Sequence, residues 1–73
     1  MNLRDETEAD LLHIRALAMA KCRAGTWLLK TDLTSQQQMY IEQLLFANER
    51  LIKETDAEFE RRVHNDTLKL CLR

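Results

Sequence analysis

Thr34–His64 reads TSQQQMYIEQLLFANERLIKETDAEFERRVH, and this stretch decides the fold. Ile41, Leu44, Leu45, Asn48, Leu51, Ile52, Thr55, Phe59 and Val63 recur at the three-to-four-residue spacing of one helix face. At 100° per residue they fall within an arc of roughly 120°, the width of a core-facing stripe. Asn48 and Thr55 are the polar members of that stripe. Glu49–Lys53 and Glu58–Arg62 are favourably oriented i,i+4 charge pairs. The pattern predicts a helix over about 35–64.

Upstream, Thr34 and Gln37 form a T-x-x-Q capping box, and residues 31–34 read as a turn, with Asp32 as an alternative cap. Before the turn lies ADLLHIRALAMAKCRAG, rich in strong helix formers. Asp5, Glu6, Glu8 and Asp10 place negative charge at the start of that segment, where a helix dipole favours it. Asp5 or Thr7 is the expected N-cap. Gly25 can end this helix or lie inside it. Leu11, Ile14, Ala18, Cys22, Gly25 and Leu29 form one narrow stripe with small residues at its middle. That stripe, together with Trp27 and Leu28, predicts continuation through Gly25, giving a helix over about 5–30.

Ala16, Ala20, Ala24 and Trp27 lie nearly opposite that stripe, with Leu17 and Leu28 flanking it. A helix that is apolar on more than one side is usually buried on more than one side. Two long helices joined by a short connection form an antiparallel hairpin. The reading is therefore an all-α fold: a single helical-hairpin domain over 1–73, forming a homodimeric four-helix bundle. The small-residue stripe (Leu11, Ile14, Ala18, Cys22, Gly25, Leu29) is the expected self-association surface. Asn65-Asp66-Thr67 reads as the helix stop, with 65–73 a short tail whose Leu68, Leu70 and Leu72 fold back or meet a second subunit.

Composition supports this architecture. There is one Gly and no Pro, so hairpin turns and helix breaks are scarce. A 73-residue chain makes one small domain. Chains below about 70–80 residues usually add a staple or a partner subunit. Eleven basic and twelve acidic residues give a net charge of −1, without the basic excess typical of nucleic-acid binders. No apolar run approaches the roughly 18 residues of a membrane span. The acidic start MNLRDETEAD is unlike a secretory or transit peptide, and two Cys in that setting read as reduced thiols in the cytoplasm.

No catalytic residue set, cofactor site or metal site is expected. His13 and Cys22 fall on opposite helix faces, and His64 and Cys71 lie about 10 Å apart along an axis. Zinc needs ligands converging at about 2.0–2.3 Å. A Cys22–Cys71 disulfide does not suit a reducing compartment. The carboxylates form no acid–base pair, so no enzyme is expected.

The interaction residues are therefore the candidates. Asn48 and Thr55 are candidates for setting helix register from core positions, or they lie at the stripe's edge and bind water. Met39 and Phe46, seven residues apart and off the main stripe, are candidate anchors for a partner protein, or they pack under another subunit. The expected partners are a second copy of the chain and an unidentified second protein. The alternative reading is a transcription or nucleoid regulator touching DNA, directly or through a partner, with Arg4, Arg15, Lys21, Arg23 and Lys30 as its basic residues.

MNLRDETEADLLHIRALAMAKCRAGTWLLKTDLT followed by an amphipathic helix resembles the short open reading frames of the exo–xis region of lambdoid phages. The segment ALAMAKCRAGTW carries most of that resemblance. It implies an early phage accessory protein acting in the host cytosol on the balance between lytic development and lysogeny. It transfers no site residues, because the group has no site motif to match.

Overall fold

The computed structural model describes residues 2–71, with side chains described through Thr67. A 3₁₀ turn, Leu3–Asp5, precedes two helices: α1, Glu8–Leu28, and α2, Ser35–Cys71. The two helices pack against each other, and no strand occurs among the described residues.

α1 starts three residues later than the acidic cluster suggests. Thr7 is the N-cap, its hydroxyl accepting the Asp10 amide at 3.1 Å. Asn2 caps the 3₁₀ turn in the same way, through the Arg4 amide at 3.1 Å. Two separate caps make two separate elements, because each satisfies orphan N–H groups locally. α1 runs through Gly25, as the stripe predicts. It ends by tightening: the Lys30 amide donates to the Trp27 carbonyl and the Thr31 amide to the Leu28 carbonyl, both i→i+3 bonds. The turn reaches α2 through the capping box, in which the Gln37 amide donates to the Thr34 hydroxyl and the Thr34 amide to Gln37 Oε1.

α2 does not stop at Asn65-Asp66-Thr67. The Thr67 hydroxyl bonds back to the Val63 carbonyl at 2.9 Å, inside the helix, and neither Gly nor Pro follows to break it. Its backbone is helical as far as Cys71. The fold-back expected of Leu68, Leu70 and Leu72 lies outside the described side chains.

The pairing is antiparallel. Arg15 meets Asp56 at 2.8 Å toward the open end, and Gly25 faces Ile41 and Leu45 toward the turn. A Cβ at position 25 would sit 2.9 Å from Leu45 Cδ2, so the helices approach closely here and a side chain at 25 makes Leu45 shift. The register that sets Arg15 against Asp56 puts Val63 level with the first residue of α1. That is why Val63 is 64% exposed although it belongs to the apolar stripe. α2 continues past α1, and the molecule is a rod of 59 × 20 × 16 Å. Its radius of gyration is 16.5 Å, against about 11 Å for a compact domain of this length.

The core is thin. Leu11, Ala18 and Ile41 are its buried apolar side chains, joined by Asn48, Thr55 and Glu58. The accessible surface is 6090 Å², whereas a compact monomer of this mass exposes about 4,700 Å².

Candidate interaction surface

The six residues expected at a subunit interface face the chain's own second helix. Leu11, Ala18 and Gly25 are buried, and Ile14, Cys22 and Leu29 are half-buried. The small side chains let α2 approach closely, so the stripe is the seam of the hairpin.

Asn48 and Thr55 are buried in that seam, 8% and 0% exposed, so they do not sit at its edge. Each is satisfied within its own helix. Asn48 Nδ2 donates to the Leu44 carbonyl at 2.8 Å, and the Thr55 hydroxyl donates to the Leu51 carbonyl at 2.6 Å. Back-bonding of this kind removes the burial penalty without linking the helices. The close approach at Gly25 and the Arg15–Asp56 pair are contacts that run between the two helices.

The most organised polar site was half visible in the sequence. Glu58–Arg62 forms as expected, with Nε at 3.0 Å, but Glu58 also takes a two-pronged contact from Arg61 at 2.8 and 2.6 Å. The Arg62 guanidinium then reaches across to the carbonyls of Leu3 and Glu6, tying the N-terminal turn to α2. Hydrogen bonds from Arg61, and then Arg62, outweigh desolvation and hold the Glu58 carboxyl at a pKa of about 2. A carboxylate so firmly ionised, with both oxygens occupied, is structural and cannot act as a general base near neutrality. The Glu49–Lys53 pair does not form; Arg50–Glu54, one residue on, forms instead at 3.0 Å.

Cys22 is a free, half-buried thiol. Burial, and then the nearby Glu49 carboxylate, push its pKa up, opposite to the shift that activates a cysteine nucleophile. Among the described residues, no group of three His, Cys, Asp or Glu side chains could hold a metal ion. None of the described helices is long and apolar enough to cross a membrane. Arg15, one of the basic residues considered for DNA, is committed to Asp56.

Met39 and Phe46 are 60% and 70% exposed on the outer face of α2. Phe46 lines a shallow depression with Glu49, Arg50 and Lys53. A larger, open apolar groove lies near the turn, lined by Leu28, Leu33, Tyr40 and Ile41 among others. Sequence reading missed this groove, although Tyr40, Leu44, Ala47 and Leu51 follow helical spacing beside the main stripe. Among the described residues, nine large apolar side chains are exposed and three apolar ones are fully buried.

The fold and surface define a two-helix hairpin with extensive uncovered apolar surface. The chain matches no family model, no curated protein and no solved structure.

Proposed function

We propose that this protein is a small non-enzymatic regulator that works in the cytoplasm through protein–protein contacts, assembled as a homodimeric four-helix bundle. The observation that carries the reading is the imbalance, among the described residues, between nine exposed and three buried apolar side chains. Exposed apolar surface on this scale marks interaction sites. Following the resemblance, the setting is that of a phage early accessory factor biasing lytic against lysogenic development. Met39 and Phe46, on the outer face of α2, are the anchors for the partner protein.

The test uses Met39→Asp combined with Phe46→Asp. Both side chains are mostly exposed, so the double variant keeps wild-type helicity. Affinity capture from host lysate, read by mass spectrometry, is expected to recover a partner with the wild type and lose it with the variant. Capture that survives the double substitution removes this surface from the reading.

A further inference from the structure

We propose that the N-terminal turn is a strap that lifts from α2 and closes on it as a unit, with Arg62 as its clasp and Glu58 as the residue that positions the clasp.

The strap has a joint of its own. Asn2 caps it, and its internal hydrogen bonds run from the Asp5 amide to the Asn2 carbonyl and from the Glu6 amide to the Leu3 carbonyl. The next backbone bond, from the Leu11 amide to the Thr7 carbonyl, belongs to the start of α1. Between the two lie two extended residues, Glu6 (φ −82°, ψ 145°) and Thr7 (φ −70°, ψ 163°). Among the described residues, no backbone hydrogen bond crosses that joint. Rotation there frees the turn without unwinding α1, because Thr7 caps α1 independently.

The grip on α2 is equally local. Nη2 of Arg62 donates to the Glu6 carbonyl at 2.5 Å and to the Leu3 carbonyl at 3.3 Å, with the Arg4 carbonyl at 3.4 Å. Among the described residues, no side chain of residues 2–6 forms a hydrogen bond or ion pair with α2. Arg62 therefore holds the main chain of the strap and not its acids. Glu58 aims the clasp by accepting from Arg62 Nε at 3.0 Å, and Arg61 fixes Glu58 in turn at 2.8 and 2.6 Å. One guanidinium serves a carboxylate and carbonyls together because its donors are set in a rigid fork.

The strap also roofs the group that holds it. Asn2, Leu3 and Arg4 share a depression with Ala57, Glu58 and Arg61, and Glu58 is 6% exposed. Lifting the strap admits water to Glu58 and leaves Arg62 Nη2 with open donors at the free end of the hairpin. None of Leu3–Asp5 is buried, and segments with few buried apolar contacts are the ones that open locally.

The experiment is amide hydrogen exchange on the full chain, followed residue by residue by nuclear magnetic resonance. The Asp5 and Glu6 amides report on the strap, and the Ala18 and Ile41 amides on the hairpin. In Arg62→Ala, protection at Asp5 and Glu6 is expected to fall at least about tenfold, the effect of losing one charge-assisted hydrogen bond. Protection at Ala18 and Ile41 is expected to fall far less. Arg62→Lys keeps the charge but not the fork, and is expected to behave like Arg62→Ala. A wild type unprotected at both strap amides, or strap protection that survives either Arg62 variant, overturns the clasp. An equal fall at Ala18 and Ile41 overturns the separate motion.

Two further variants test the roles of the other residues. Asp5→Ala plus Glu6→Ala removes side chains and keeps the carbonyls, so strap protection is expected to persist; its loss overturns the main-chain grip. Glu58→Gln is expected to lower strap protection by itself and to add nothing in the Arg62→Ala background, since it acts through Arg62. Additive effects overturn its positioning role.

Discussion

Gly25 is where the hairpin is most sensitive to volume, and a graded substitution series exposes that sensitivity. Replacing it with Ala gains about 1 kcal/mol of helix propensity. The new Cβ would lie 2.9 Å from Leu45 Cδ2, 3.1 Å from Leu45 Cγ and 3.5 Å from Ile41 Cγ2. Leu45 is half-buried and can move aside, at roughly 0.5–1.5 kcal/mol for an unfavourable rotamer. The two effects nearly cancel, so Gly25→Ala is expected within about 1 kcal/mol of wild type. Gly25→Leu has nearly the same propensity as Ala but adds three more carbons against Ile41 and Leu45. Overpacking of this kind costs about 1–3 kcal/mol. Taking ~2 kcal/mol, its Tm falls by about 8–16 °C relative to Gly25→Ala. The assay is thermal unfolding followed by circular dichroism at one fixed protein concentration. Ala24→Leu, at the exposed neighbouring position, serves as the control and is expected to change Tm little. A Gly25→Leu protein as stable as Gly25→Ala would show that the helices do not close on each other at this point.

Two further expectations concern the ends of the helices. The Glu58 carboxylate has its pKa lowered from 4.5 to about 2 by its arginine partners, so its contribution is complete above pH 4.5 and is lost as pH falls toward 2. The Tm gap between wild type and Glu58→Gln should therefore be constant above pH 4.5 and shrink steadily as pH falls from about 4.5 toward 2; a gap at pH 2 as wide as that above pH 4.5 refutes the assignment. Thr34→Ala removes one half of the capping box and should cost about 1 kcal/mol in thermal unfolding, an effect whose absence would show that the start of α2 is held by something other than its cap.

Much of the architecture was legible before any coordinates. The capping box at Thr34 and Gln37, the continuation through Gly25 and the apolar face of α2 are all local or periodic features, and a helix writes both into the order of its residues. The same locality explains the misjudged ends. Asn65-Asp66-Thr67 has the composition of a stop, but Thr67 back-bonds to Val63 and the backbone keeps its helical path. Of the two expected caps, Asp5 and Thr7, it is Thr7 that starts α1, while Asn2 caps a separate turn before it.

What no periodicity could decide was which apolar face meets which. α1 carries a small-residue stripe and a broader apolar side, and either could have faced α2. The choice depends on distance of approach between two axes: Gly25 admits Leu45 and Ile41, which a bulkier side chain would hold away. That assignment converts an expected subunit interface into the hairpin's own seam. It leaves the Leu17, Tyr40 and Leu44 flank uncovered. Glu58 follows the same rule. Its pairing with Arg62 is a four-residue relation readable in the sequence, whereas its burial depends on an N-terminal turn more than fifty residues away, brought to it by the fold. The sequence by itself determined which segments are helical and how one of them is capped. Only the tertiary structure decided which faces are spent on folding and which remain exposed, because that depends on how closely two helices approach across space.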